Sequence, residues 1–268
     1  MAKDLTDLFS PKSVCVIGAS RNPGKVGAIV LENIINSGFT GAIYPVNPNI
    51  GELDDLNCFK DVARLPQIPD LAVIAVPAPA VLDVLNEVGD KGIKNAVVFS
   101  AGFKETGEEG EKLETELINI AQSKNINVLG PNCLGFVNNL VPINVTFGEV
   151  AIQSGNLRFI SQSGAIASSL FDWCKTNNLG FSHFITLGNK AVITENDILE
   201  YFQNNKPSAP ESLPDVRPIG LYLESISKGS QFLKLTSEIS KIDPIFILKP
   251  GKTLAASKAM LSHTGAIA

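Results

Sequence analysis

The sequence has few of the features that identify secreted, metal-binding or membrane proteins. Its four cysteines lie far apart and form no Cys-x-x-Cys pair, so neither a disulfide scaffold nor a zinc ribbon is expected. No uninterrupted apolar run approaches the ~18 residues of a membrane-spanning helix. The N-terminus carries Asp4 and Asp7 where an export signal would carry positive charge. We therefore expect a cytoplasmic protein with no membrane partner.

Clusters of positive charge are absent as well. The chain has 22 Lys and Arg against 27 Asp and Glu, a formal net charge of −5, and no run of basic residues. This balance argues against nucleic acid or an anionic membrane as a partner. Apolar residues make up 44% of the 268 residues, which is ordinary for a globular chain of about two domains.

Short apolar, β-branched runs alternate with segments of helical period in the first half. The predicted strands cover residues 13–17, 42–46, 71–76, 95–99 and 126–129. The predicted helices cover residues 25–37, 80–91 and 107–124. Continuous apolar runs are typical of parallel strands that are covered on both faces. The alternation therefore predicts a doubly wound parallel sheet.

The alternation stops over residues 137–156 and then begins again. The predicted strands of the second half cover residues 158–161, 182–187, 219–223 and 245–249. The predicted helices cover residues 164–175, 197–204 and 230–241. We therefore predict two tandem α/β domains with doubly wound parallel sheets, over residues 1–140 and 150–268.

A glycine-rich loop follows the first predicted strand and opens a helix. Its glycines permit a close backbone approach, and the helix N-terminus offers free N–H groups to a phosphate. The spacing from Gly18 to Gly24, with Val26 in place of Ser or Thr, excludes a Walker loop, and Gly-x-Gly-x-x-Gly does not fit either. Residues 45–48 lack the carboxylate that an NAD ribose requires. A phosphate-bearing nucleotide other than NAD is one interpretation, and a turn without a ligand is the other.

The remaining chemistry-bearing residues also follow predicted strands. Ser163 lacks the flanking glycines of a nucleophile elbow, so the start of its helix is better interpreted as an anion site than as a serine hydrolase. Of the two histidines, His183 lies in an apolar run and is expected to be structural, whereas His263 lies in a loop of small residues. Glu224 ends a strand on the same rim, and a carboxylate there would fix the tautomer of a histidine that it meets.

Taken together, these residues resemble those of the NDP-forming acyl-CoA synthetases. The similarity is greatest to the alpha subunit of ADP-forming acetyl-CoA synthetase, and more distant to succinyl-CoA synthetase alpha. The matching motifs run in family order over nearly the whole chain: Val16-Ile17-Gly18-Ala19-Ser20, Gly24-Lys25-Val26-Gly27, Pro45-Val46-Asn47-Pro48, Ser100-Ala101-Gly102-Phe103, Gly130-Pro131-Asn132-Cys133-Leu134-Gly135, Ser161-Gln162-Ser163-Gly164-Ala165, Gly188-Asn189-Lys190, Tyr222-Leu223-Glu224 and Ser262-His263-Thr264-Gly265-Ala266.

The resemblance implies a Rossmann-like CoA-binding domain followed by a flavodoxin-like ligase domain. It also implies a reaction, acyl-CoA + ADP + phosphate ⇌ carboxylate + CoA + ATP, which runs through an acyl phosphate and a phosphohistidine. His263 would carry the phosphoryl group and Glu224 would orient it. The residues expected to hold CoA are Gly18, Ser20, Lys25, Asn47, Pro77, Ser100 and Gly102. Those expected around the phosphate are Asn132, Cys133, Gln162, Ser163 and Gly164, and no resident metal is expected.

The resemblance further implies a partner. The ATP-grasp part that handles ADP or ATP with Mg²⁺ is expected as a separate beta subunit or a fused domain, in an oligomer, with a small carboxylic acid or its acyl-CoA as substrate. The chain is accordingly expected to be a subunit or a fragment of such an enzyme, with a second domain that is truncated at its C-terminus. Relatives often carry an acid soon after Gly-Asn-Lys, whereas four residues precede Glu195 here. A non-catalytic CoA-binding regulatory module and a nucleotide-binding oxidoreductase are the alternatives.

Overall fold

The computed structural model describes residues 3–148, 153–205 and 216–251 of the chain. The first half contains α1 (Thr6–Phe9), β1 (Ser13–Ile17), α2 (Val26–Asn36), β2 (Ala42–Val46), β3 (Glu52–Leu53), β4 (Leu56–Asn57), β5 (Leu71–Ile74), α3 (Ala78–Lys91), β6 (Asn95–Val98), α4 (Glu108–Lys124) and β7 (Asn127–Leu129). The second half contains β8 (Gly135–Asn138), β9 (Ile143–Thr146), β10 (Ser154–Ser161), α5 (Gly164–Thr176), β11 (Phe181–Thr186), α6 (Glu195–Asn204), β12 (Ile219–Tyr222), α7 (Gly229–Ile239) and β13 (Ile245–Leu248).

The first sheet is parallel and is covered on both faces. Its strand order is β2-β1-β5-β6-β7, so the order reverses at β1, which pairs with β2 on one side and β5 on the other. Side chains alternate along β1: Val14 and Val16 pack with α2, whereas Cys15 and Ile17 share a core with α3 and α4. In such sheets the crevice beside the reversal point, at the carboxyl ends of the strands, is where ligands bind.

The second sheet is mixed, which corrects the prediction of a wholly parallel one. Its order is β13-β12-β10-β11-β8-β9, and β8 pairs antiparallel with both β11 and β9. The core on one face includes residues of α6 and α7, and the core on the other includes residues of α5. The prediction of two tandem α/β domains is confirmed. The limits 1–140 and 150–268 stay predictions, although β8 and β9 belong to the second sheet.

The N-terminal helix α1 joins the two halves. The Phe9 ring contacts Phe136 of β8 at a centroid distance of 5.2 Å and Tyr201 of α6 at 5.0 Å. The Asn138 amide donates to the carbonyl of Phe9 at 2.9 Å. One continuous apolar core therefore includes residues of both sheets. Across the described residues, no helix combines the length and apolar character needed to cross a membrane.

Candidate functional site

A cavity of about 520 Å³, here called the first cavity, opens at the carboxyl ends of β1, β5 and β6. The predicted CoA-binding residues that line it are Gly18, Ser20, Lys25, Asn47, Pro77 and Ser100. The seventh, Gly102, lies one residue beyond the lining residue Ala101. The structure thus brings together residues from four separate loops of the first domain, and their contact with CoA stays a prediction.

The glycine-rich loop is shaped by two close backbone contacts. Gly18 has a φ of +89°, and a Cβ there would lie 2.5 Å from the carbonyl oxygen of Ala75. A Cβ on Gly27 would lie 2.0 Å from the carbonyl oxygen of Gly18. Only glycine allows the first turn of α2 to approach the loop this closely. Lys25 is the N-cap residue of α2 and is exposed at the rim of the cavity.

Polar side chains stabilise the remainder of the loop. The Asn47 amide donates to the carbonyl of Ala19 at 2.8 Å, which ties the end of β2 to the end of β1. The Ser20 hydroxyl accepts from the backbone N–H of Asn22 at 3.1 Å, and the Asn22 side chain accepts from Gly24 at 2.9 Å. Asn47 therefore positions the loop, in addition to lining the cavity.

A second cavity of about 470 Å³ is formed between the loops of the two halves. All five residues predicted around the phosphate line it: Asn132, Cys133, Gln162, Ser163 and Gly164. Glu224 lines it as well. Three lining residues, Phe99, Ala101 and Phe147, also line the first cavity, so the two cavities adjoin.

Glu224 places a buried carboxylate in the second cavity. It is 4% exposed, and among the described residues its Oε2 atom has no hydrogen-bond partner. A buried carboxylate oxygen is costly unless it is paired, so this atom is suited to a hydrogen-bond donor that enters the cavity. Burial, and next the charge of Glu224, raise the pKa of the nearby Tyr222 hydroxyl.

Gln162 holds the loop that carries Glu224. The side-chain oxygen of Gln162 accepts hydrogen bonds from the backbone N–H groups of Glu224 and Ser225, both at 3.0 Å. The backbone N–H of Gln162 donates to the carbonyl of Tyr222 at 2.9 Å. Gln162 therefore positions the carboxylate, a role that the sequence did not indicate.

Ser163 caps the helix that begins at this cavity. Its hydroxyl accepts from the N–H of Ile166 at 3.4 Å, and α5 starts at Gly164. The N–H groups of a first helical turn favour an anion. The prediction of an anion site at the start of α5 is consistent with this placement, and no base that would activate Ser163 contacts it among the described residues.

Cys133 contributes no reactive thiol. Its Sγ atom donates to the carbonyl of Val98 at 3.5 Å, and burial raises its pKa to about 12. A thiol with such a pKa stays protonated at neutral pH and is a poor nucleophile. Only the backbone of Cys133 is thus available to an anion.

Sequence reasoning did not foresee the network around Asn189. Its side-chain amide donates to Glu105 at 2.6 Å and to Glu114 at 2.7 Å, and its oxygen accepts from Asn132 at 3.3 Å. Lys104 donates to the carbonyl of Asn189 at 2.5 Å and pairs with Glu114 at 3.1 Å. One signal in the sequence could have indicated this network: Glu114 lies on the same face of α4 as Leu117 and Ala121, which is the buried face of the helix. The network fixes the 188–190 loop against the first domain.

Glu195, the first acid after Gly188-Asn189-Lys190, forms a buried ion pair with Lys190. The Lys190 ammonium donates to Glu195 at 2.9 Å and to the carbonyl of Ser225 at 2.9 Å. Burial lowers the pKa of Lys190, and the charge of Glu195 opposes this shift. The four residues between Lys190 and Glu195 therefore do not prevent this pair, and Lys190 itself has a φ of +56°.

His183 is buried, as expected for a structural histidine. The predicted phosphorylated residue, His263, lies outside the described residues. The described residues include no cluster of His, Cys, Asp and Glu that would hold a metal ion.

Comparison with known proteins identifies both halves. A family profile described as CoA binding domain matches residues 12–139, and one described as succinyl-CoA ligase like flavodoxin domain matches residues 154–268.

Two curated relatives are similar over nearly the whole chain. The chain is 40% identical over 268 residues to the alpha subunit of acetate–CoA ligase (ADP-forming) I of Pyrococcus furiosus. The matched region covers 98% of this chain and 56% of that protein. It is 41% identical over 264 residues to 4-hydroxybutyrate–CoA ligase (ADP-forming) of Nitrosopumilus maritimus, covering 97% and 36% respectively.

A solved structure has the same fold. It is the dinucleotide-forming acetyl-coenzyme A synthetase 1 of Candidatus Korarchaeum cryptofilum in complex with phosphate and ADP, with a TM-score of 0.91 and 40% identity over 99% of this chain and 55% of that one. The chain spans from 36% to 56% of the length of these three proteins. With the two domains matched in order over nearly its whole length, the chain belongs to the NDP-forming acyl-CoA synthetase family.

Proposed function

We propose that this chain is the CoA-binding and acyl-phosphate-forming part of an ADP-forming acyl-CoA synthetase. The whole enzyme interconverts acyl-CoA + ADP + phosphate with carboxylate + CoA + ATP. The observation that carries the proposal is the buried Glu224 carboxylate, which lines the second cavity beside the start of α5. The second cavity in turn adjoins the first cavity, at the switch point of the first sheet.

The first cavity would bind CoA and the second would bind phosphate. A phosphate oxygen attacks the thioester carbonyl carbon, the carbon–sulfur bond breaks, and CoA leaves as a thiol after protonation. The first turn of α5 favours the phosphate charge through its N–H groups. Because the two cavities adjoin, CoA and phosphate bound in them would lie side by side, which favours the reaction between them.

His263 would then accept the phosphoryl group. One imidazole nitrogen attacks phosphorus and the carboxylate of the acid leaves, while Glu224 accepts a hydrogen bond from the other nitrogen. This bond fixes the tautomer and raises the nucleophilicity of the reacting nitrogen. The Oε2 atom of Glu224, which has no hydrogen-bond partner among the residues that the structure describes, supports this role.

An ATP-grasp partner, as a beta subunit or a fused domain, would carry the phosphoryl group to ADP with Mg²⁺. The Pyrococcus furiosus relative is named a subunit alpha, which is consistent with such a division. Four free cysteines fit a reducing cytoplasm, where we place the enzyme. A non-catalytic CoA-binding module is not favoured, because it has no use for a buried carboxylate in a phosphate cavity.

Phosphoryl labelling tests the proposal. Acetyl phosphate labelled on phosphorus should label the wild-type chain with acid-labile, base-stable phosphate. His263→Ala should abolish the label, and Glu224→Gln should slow labelling by about 10²-fold, the usual effect of losing a positioned acid–base partner. His183→Gln is the matched control, since His183 is the only other histidine and lines neither cavity. Undiminished labelling of His263→Ala would exclude the mechanism.

Calorimetric titration tests the CoA site separately. Lys25→Ala should weaken CoA binding by about 10-fold without unfolding the protein, because a charge-assisted phosphate contact on an exposed loop contributes to binding rather than stability. Lys112→Ala, on the exposed face of α4, is the control. Equal affinity for NAD and CoA, or no binding of CoA, would contradict the assignment.

A further inference from the structure

The residues shared by the two cavities mark where the acyl group must lie. In the proposed reaction the thioester carbon is bonded to the CoA sulfur and is attacked by a phosphate oxygen. The thioester carbon must therefore lie next to the CoA sulfur and within reacting distance of the phosphate, about 3–3.5 Å. If CoA occupies the first cavity and phosphate the second, only their junction meets this condition. The residues that line both cavities are Phe99, Ala101 and Phe147.

The junction has aromatic walls. The rings of Phe99 and Phe147 meet edge to face with centroids 5.4 Å apart. Phe99 is 6% exposed and forms part of the main core, whereas Phe147 is half-buried and Ala101 is exposed. Phe99 is thus fixed by packing, whereas the half-buried Phe147, which packs at the edge of the core, and the exposed Ala101 are less enclosed.

Charges around the junction disfavour an acyl group with a second carboxylate. Glu224 lines the second cavity with a buried carboxylate of the same sign. Lys104 also lines that cavity, but its ammonium already pairs with Glu114 and the carbonyl of Asn189. A second carboxylate on the acyl group would lose its hydration against two phenyl rings. Among the described residues that line the two cavities, the other cation is Lys25, which lies exposed at the rim of the first cavity.

We propose that Phe147 and Ala101 determine acyl specificity and that, with Phe99, they select uncharged acyl groups. This inference rests on the proposed function, and it narrows the substrates of that reaction to thioesters of uncharged acyl groups. The two rings pack against the acyl chain, and the size of the side chains at positions 101 and 147 limits its bulk. Selection between acyl groups that differ by one or two carbon atoms in such an apolar pocket is typically about 10- to 200-fold.

Arsenolysis of acyl-CoA thioesters by the chain measures this selection. Arsenate replaces phosphate in the attack on the thioester, CoA is released as a thiol, and the acyl arsenate hydrolyses in water to the acid and arsenate. Thiol release gives kcat/KM for acetyl-CoA, phenylacetyl-CoA and succinyl-CoA without ADP or His263. The wild-type chain should cleave succinyl-CoA at least about 100-fold less efficiently than acetyl-CoA, because of the desolvated carboxylate.

Two variants change the junction in opposite directions. Phe147→Ala should raise the phenylacetyl-to-acetyl ratio of kcat/KM by about 10-fold or more, since it removes one wall of the pocket. Ala101→Leu should lower the same ratio by a similar factor. Phe59→Ala is the matched control, because Phe59 is also half-buried, pairs edge to face with Tyr44 and lines neither cavity.

The ratio separates a contact with the acyl group from a structural role. A structural role would lower kcat/KM for all three thioesters by one factor and leave the ratio unchanged. An unchanged ratio in both variants, or succinyl-CoA cleaved as well as acetyl-CoA by the wild-type chain, would overturn the inference while leaving the proposed function intact. If Phe147→Ala fails to fold, Ala101→Leu decides. Absence of thiol release from every acyl-CoA by the wild-type chain would overturn the proposed function, and the inference with it.

Discussion

The side chain of Asn189 is held by two carboxylates, Glu105 and Glu114, that come from the first domain. The other oxygen of Glu105 accepts from the backbone N–H of Gly102 at 2.6 Å, so a single carboxylate connects the rim of the first cavity to the 188–190 loop. These hydrogen bonds help to hold the pKa of Glu105 below its usual range, despite the opposing effect of burial. The next residue, Lys190, donates hydrogen bonds within the second domain, to Glu195 and to the carbonyl of Ser225.

The buried Lys190–Glu195 pair should be a stability determinant. Lys190→Met leaves the buried Glu195 charge without its partner, and should lower the free energy of unfolding by about 3–5 kcal/mol. The double variant Lys190→Met/Glu195→Gln should recover part of this loss, because it removes the unpaired charge. Urea unfolding of the wild type, the single variant and the double variant measures both effects. A loss below about 1 kcal/mol in the single variant would show that the pair is not important for stability.

The helix α2 depends on a backbone contact that no side chain can replace. Because a Cβ on Gly27 would clash with the carbonyl of Gly18, Gly27→Ala must displace the start of α2 from the glycine-rich loop. A Cβ on Gly24 would lie no closer than 3.4 Å to the Asn22 side chain, so Gly24→Ala serves as the matched control.

The two glycine variants should behave differently. We expect Gly27→Ala to lower the free energy of unfolding by more than about 2 kcal/mol and to weaken CoA binding, the usual result of forcing an atom into a filled space. Gly24→Ala should change the free energy of unfolding by less than about 1 kcal/mol. Thermal unfolding and CoA titration of both variants check this, and equal stability of the two would contradict the role given to Gly27.

Elements with continuous apolar sequence were predicted to within a few residues, because burial on both faces leaves a clear signal. The strands β1 and β2 agree with the prediction at both ends, and β5 ends two residues early because α3 begins directly after Pro77.

The short strands β8 and β9 were missed. Their sequences are four residues long, and asparagine side chains complete the turn between them: Asn138 accepts from the backbone of Leu140 at 2.9 Å. Most of the candidate site was predicted because its loops follow strands. The Asn189 network was not, because it depends on how the two domains pack together.

The described part of the molecule holds a buried histidine, His183, in an environment that disfavours its protonation. His183 lies against Phe202 at a ring distance of 5.2 Å, and Arg158 and Arg217 are nearby. Burial, followed by these two cations, lowers its pKa to about 3. The unfolded chain binds this proton below about pH 6.5 and the folded chain does not, so folding stability falls as the pH drops from about 6.5 towards 3.

The free energy of unfolding should therefore fall less at acid pH when His183 is replaced. Between pH 7 and pH 4.5, His183→Asn should lose about 2–3 kcal/mol less of its free energy of unfolding than the wild type, whatever its stability at pH 7. Urea unfolding at both pH values measures the difference. An identical pH dependence of the free energy of unfolding in the two proteins would contradict this, because it would mean that His183 binds its proton over the same pH range in the folded and the unfolded chain.

The helix α1 also has a consequence for how the gene can be divided. Leu8 and Phe9 are buried residues of the N-terminal segment. Phe9 nevertheless packs against the second half of the chain, where it contacts strand β8 and helix α6. A polypeptide cut near residue 150 would leave two pieces that each expose apolar surface the other normally covers. The CoA-binding half and the ligase half are therefore poor modules for recombination. Their interface is expected to be inherited as a unit.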